Sequence, residues 1–97
     1  MCPNIWWLPQ PGLQSAIDVL ATRGLEIESL PDDPWLRAAQ FLARRGPAAQ
    51  RCKVWKWEGG VVVEAVFHLT WPWRWKVEAR LYDEICQTFE IHFERFL

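Results

Sequence analysis

Residues 75–96 read WKVEARLYDEICQTFEIHFERF, and the fold turns on whether this stretch is two strands or one helix. Val77, Ala79, Leu81, Ile85, Phe89, Ile91 and Phe93 hold odd positions, while Lys76, Glu78, Arg80, Tyr82, Glu90, His92 and Glu94 hold even ones. Such alternation describes strands with one buried face. Val77, Leu81, Ile85, Phe89 and Phe93 are also spaced by four, as on one side of a helix. The β-forming run Phe89-Glu90-Ile91-His92-Phe93 favours strands, over roughly 75–83 and 87–96.

The same parity extends upstream. Trp55, Trp57, Val61, Val63, Ala65, Phe67, Leu69, Trp71, Trp73 and Trp75 are all odd. Two further strands are expected over about 53–57 and 61–71. A Glu58-Gly59-Gly60 loop would face Trp57 with Val61 and Trp55 with Val63. A Pro72-Trp73-Arg74 loop would pair His68 with Glu78 and Val66 with Arg80. A Glu84-Ile85-Cys86 loop would pair Glu78 with His92 and Arg80 with Glu90. Trp55, Val63, Phe67, Leu81, Phe89 and Ile91 then point inward.

Two helices are expected before the sheet. Leu13, Ala16, Ile17, Leu20 and Ala21 recur at helical spacing, and Gly24 is a fitting C-terminal stop. In the second, Asp33 caps, Pro34 fits the first turn, Trp35, Ala38, Ala39 and Leu42 form the stripe, Arg44 and Arg45 suit the C-terminal end, and Gly46-Pro47 terminates. Ile5 to Leu8, stopped by Pro9, is a short edge strand or an apolar arm; Leu25 to Leu30 is a short strand or extended linker. The expected fold is α+β over a single domain, residues 1–97, with two helices on a curved four-stranded antiparallel meander.

Helical segments followed by long hairpins resemble the nuclear-transport-factor-like families, including the SnoaL-like ones, and more distantly the cystatin-like arrangement. The resemblance covers Pro34 to Leu97 and rests on element order alone. It implies a dimeric or pocket-forming cone, in families that include isomerases, dehydratases and non-enzymatic partners. No catalytic Asp–His pair of those families can be placed on this chain.

Composition bounds the function. The chain has 97 residues, a net charge of −1 and eight Trp. Its overall charge does not point to nucleic acid or an anionic membrane. Between Pro34 and Trp57 every charged residue is Arg or Lys, whereas acids dominate after Val77. Cys2, Cys52 and Cys86 contain no Cys-x-x-Cys pair, which argues against a disulfide framework or zinc knuckle and suits a reducing cytoplasm. No signal peptide is expected, because a basic region followed by an apolar stretch is lacking at the N-terminus. No uncharged apolar run is long enough to cross a bilayer.

The chemistry candidates are few. His68, Glu78 and His92 would form a polar row across three strands, read as a charge ladder in preference to a metal site. Cys52 and Cys86 have no His placed beside them as a base. The Trp-Lys-Trp and Trp-Pro-Trp-Arg-Trp-Lys segments interleave aromatic and basic residues, as single-strand binders do. Stacking requires base and cation on one accessible face, and the alternation puts most of these Trp residues in the core. Nucleic acid is therefore set aside, and neither a cofactor nor a catalytic residue is expected.

The reading is a non-catalytic binding or assembly protein, a homodimer acting through its sheet and Trp-rich turn, with Trp73, Val66, Tyr82 and Arg80 at the interface. The alternative is a small-molecule binder or enzyme with an apolar pocket lined by Trp35, Trp55, Phe67 and Phe89. A filled core with exposed aromatics favours the first; a hollow lined by aromatics favours the second.

Overall fold

A computed structural model describes residues 4–35 and 37–96; Cys2 lies outside them. The elements are β1 (Ile5–Pro9), α1 (Leu13–Thr22), β2 (Glu26–Asp33), β3 (Ala38–Arg45), β4 (Ala48–Trp57), β5 (Gly60–Val66), a 3-10 turn (Pro72–Arg74), α2 (Trp75–His92) and β6 (Glu94–Arg95). The strands form one antiparallel sheet in the order β2-β3-β4-β5-β1-β6. The α+β class and the two helices stand, but the sheet has six strands and the second helix lies elsewhere in the chain. The order on which the family resemblance rested, helices followed by hairpins, differs from this one.

Helix α1 forms as its periodicity requires. Ala16 and Leu20 are fully buried on its inner side. At its end the Gly24 N–H donates to Ala21 O at 2.9 Å and the Leu25 N–H to Leu20 O at 3.3 Å. Gly24, at φ 85°, supplies the left-handed residue that this paired C-terminal bonding needs.

The expected helix over Asp33–Arg45 is strand β3. Asp33 does accept the Trp35 N–H, at 2.9 Å, but this closes the β2–β3 turn instead of capping a helix. Ala39, Phe41 and Ala43 pair with Val54, Cys52 and Gln50 of β4. Phe41 and Ala43 are buried, and two strand neighbours outweigh the helical propensity of the Ala, Leu and Arg residues. Gly46-Pro47 then serves as a hairpin turn, with Gly46 at φ 58°.

The β4–β5 hairpin is present one residue out of the expected register. Its turn has two residues, Glu58 and Gly59, at φ 41° and 77°, both in the left-handed region as a type I′ turn requires. Trp57 therefore faces Gly60, Trp55 faces Val62 and Val54 faces Val63. The slip turns Trp55 away from the helices and brings Val54 beneath them.

The strands expected over 75–83 and 87–96 are one helix, α2. Leu81, Ile85, Thr88 and Phe89 are its buried residues together with Glu78. Ile91, expected inward beside Phe89, is 73% exposed, because two residues along a helix turn about 200°. Phe67, also expected inward, lies past the end of β5 and is exposed, edge-on to Tyr82. Of the residues expected inward, Val63, Leu81 and Phe89 are buried.

Both helices cover one face of the sheet. Beneath them Trp6, Leu8, Ala16, Leu20, Phe41, Val63, Ile85 and Phe89 are buried without a gap in their contacts, each large side chain contributing about 1.5–3 kcal/mol. Among the described residues the other face has no helix. There Trp7 and Trp55 flank Val62 across three strands, and Val62 is only 1% exposed although it lies outside the main core.

Candidate functional site

The chain from the end of β5 into the first turn of α2 carries the site. Residues 67–77 read Phe-His-Leu-Thr-Trp-Pro-Trp-Arg-Trp-Lys-Val. Phe67, Leu69, Trp71, Trp73, Trp75 and Val77 are all exposed, Trp73 by 74%. The Trp71 and Trp73 rings stack with centroids 5.2 Å apart and planes 16° apart. Pro72 sits at the start of the 3-10 turn, where its fixed φ suits the conformation and its missing N–H costs nothing. Exposed apolar surface from three Trp residues alone comes to roughly 300–500 Å², the size of patch that marks an interaction site.

Gln50 holds this segment in place. Its side-chain Oε1 accepts the His68 N–H at 2.8 Å and its Nε2 donates to His68 O at 2.9 Å. The amide thus acts as one further rung beyond the end of β5. The same Nε2 donates to Glu78 of α2 at 2.5 Å, and Glu78 also accepts the Ala49 N–H at 3.3 Å. One buried side chain therefore ties strand, turn and helix together. The sequence reading missed Gln50; its signal was a lone amide among the apolar inward positions of β4.

A cleft of about 230 Å³ opens beside the turn at the end of the helix-free sheet face, with Arg44, Arg51, His68, Thr70, Arg74 and Glu78 among its lining residues. Arg44 is paired with Glu28 at 2.9 Å. Arg51 Nε is buried and has no hydrogen-bond partner among the described residues. Among the described residues Arg74 reaches only Pro47 O, at 3.4 Å. Lys76 lies over the Trp75 ring at 5.9 Å.

The expected polar row does not form. Glu78 lies in the first turn of α2 and His92 at its end, about 21 Å apart at 1.5 Å per residue. His68 and Glu78 do share the Gln50 network, while the His92 ring lies against Thr88 O at 2.9 Å. The expected interface residues also separate. Val66 ends β5 on the helix-free face, whereas the Tyr82 hydroxyl points at the sheet, donating to Ala65 O at 3.1 Å and accepting from Asn4 at 2.6 Å. Arg80 is on the solvent side of α2. Helical steps in place of strand alternation cause this dispersal.

The four residues of the expected pocket do not come together. Phe89 is fully buried against Trp6, with centroids 5.4 Å apart. Trp35 is 91% exposed at the β2–β3 turn. A separate recess of about 470 Å³ lies where the start of α1 meets the sheet, with Leu13, Ala39, Val54 and Val61 as apolar lining and Arg37, Asp32 and Lys56 as charged lining; of the four expected residues only Trp55 contributes to it. Cys52 is fully buried, and burial pushes its thiol well above the ordinary range. Cys86 is half-buried and pushed up to about 11, chiefly by burial. Neither is a nucleophile at neutral pH.

No family model, curated protein or solved structure matches this chain. No helix among the described residues is long and apolar enough to cross a membrane.

Proposed function

We propose that this chain is a non-catalytic binding protein whose working surface is the aromatic turn, residues 67–77. One observation carries the reading: six large apolar side chains stay exposed along residues 67–77, from the end of β5 into the first turn of α2, while Trp6 and Phe89 pack together in the core. Exposed aromatic residues on a rigid support are what binding hot spots are made of. Here the support is the Gln50 network. A reducing, cytoplasmic setting suits the free thiols Cys52 and Cys86.

The test is the combined variant Trp71→Ser, Trp73→Ser, Trp75→Ser. An unchanged unfolding midpoint, with loss of anilinonaphthalene sulfonate binding, is the expected result. A fall in midpoint comparable to that of a core truncation would make the turn structural and overturn the proposal.

A further inference from the structure

We propose that the aromatic turn and the cleft beside it bind single-stranded nucleic acid, a phosphate entering the cleft and a base lying on the Trp71–Trp73 stack. This inference rests on the turn being the working surface and names its ligand class. Single-strand binding needs aromatic faces and cations on one accessible surface. Burial of the Trp residues by strand parity would have denied it. The turn instead leaves Trp71, Trp73 and Trp75 exposed. Thr70 and Arg74 both line the cleft, so the stacked pair between them in the chain is bracketed by cleft residues.

The cleft is suited to an anion. Arg51 and Arg74 have no carboxylate within ion-pair distance among the described residues, and the buried Arg51 Nε lacks any acceptor. That nitrogen is closed to solvent, so an arriving phosphate oxygen meets the terminal guanidinium nitrogens of Arg51 and Arg74, which can donate charge-assisted hydrogen bonds. His68 and Thr70 add polar atoms at the wall. Glu78 also lines the cleft and opposes an anion, but its carboxylate is engaged by Gln50 and the Ala49 N–H. The acids Asp83, Glu84, Glu90 and Glu94 belong to the later part of α2 and to β6, beyond this end of the helix.

The geometry favours a nucleotide chain over a lipid surface. The cations sit in a concave cleft of about 230 Å³, large enough to admit a phosphate, whereas a bilayer meets a convex cationic face. The Trp71 and Trp73 rings are nearly parallel, which offers a flat outer ring on which a base extends the stack. Only an unpaired base can reach that ring, so duplexes are poor ligands.

The experiment is fluorescence anisotropy with labelled mixed-sequence single-stranded DNA and RNA. The other arms are a duplex, phosphatidylglycerol vesicles and a poly-glutamate peptide. Single strands are expected to bind and duplex much more weakly. Trp73→Ala and Arg51→Gln should each weaken binding about tenfold. Arg51→Gln and Arg74→Gln should each lower the salt slope by about one unit. Arg23→Gln, away from the cleft, should leave binding unchanged. Absence of single-strand binding while vesicles or poly-glutamate bind in a Trp73-dependent way overturns the nucleic-acid inference and leaves the working surface standing. No binding in any arm, with dye binding unaffected by the triple Ser variant, removes both.

Discussion

The Trp6 indole N–H donates to the Glu90 carboxylate at 2.7 Å, joining the first described strand to the last helix across 84 residues. Arg95 completes the cluster, 3.1 Å from Glu90 and 5.4 Å from the Trp6 ring centroid. The hydrogen bond from Trp6, and then that from Arg95, hold the Glu90 carboxyl below its ordinary value. A depressed carboxyl stabilises the fold above its unfolded-state value, and that contribution is lost as pH falls through the folded value. Urea unfolding of the wild type and Glu90→Gln across a pH series should therefore show a gap at neutral pH that closes in acid. A gap that stays constant with pH would assign the effect to packing alone.

Phe89 and Ile91 separate helix from strand by their energetics. In a strand they would share a face; in α2 the first is fully buried and the second 73% exposed. Phe89→Ala should cost about 3–5 kcal/mol, and Ile91→Ala should stay within about 0.5 kcal/mol. Chemical denaturation of the two variants measures both. Equal costs would restore the strand.

What the sequence could tell follows from which signals are local. Helix α1 and its Gly24 stop were legible because period and cap lie within one segment. The C-terminal helix was ambiguous for an arithmetic reason: positions spaced by four, Val77, Leu81, Ile85 and Phe89, are also all odd. Asp83 and Gln87 were the discriminating residues, since a strand of that parity would bury both. Strand β3 was illegible because Ala, Leu and Arg favour a helix until β2 and β4 flank them. The site was hidden by the same parity, which placed Trp71 and Trp75 in a core they do not enter. Arg51 and Arg74 meet only when the β3–β4 hairpin lies beside the turn.

Glu58 occupies a left-handed conformation at φ 41° that side chains other than Asn, Asp and Gly adopt at a cost. Glu58→Asn converts the turn to Asn-Gly, the preferred pair for a two-residue hairpin. Stability should rise by up to about 1 kcal/mol, measured as a higher midpoint in thermal unfolding. A loss would show that the Glu58 side chain has a supporting role.

Burial orders the thiols. Cys86 is pushed up to about 11 and Cys52 further still. Iodoacetamide in the folded protein should modify Cys86 before Cys52, with a rate that rises about tenfold per pH unit and levels off only near pH 11. Fast alkylation of either at neutral pH, located by peptide mapping, would reveal an activating group that the geometry lacks.

Gln50 is the residue through which core and working surface meet. Gln50→Leu keeps the size and the strand but removes both hydrogen bonds to His68 and the bond to Glu78. The His68 backbone can turn to water, whereas the Glu78 carboxylate is buried and loses its short donor. The expected cost is about 1–3 kcal/mol. The turn should also loosen, with faster amide exchange at His68 and greater acrylamide quenching of its Trp residues. A double-mutant cycle with Glu78→Gln isolates the pair, and a coupling of about 1 kcal/mol is expected. Strict additivity of the two changes, with the His68 amide as protected as before, would mean that the turn is held by something other than Gln50.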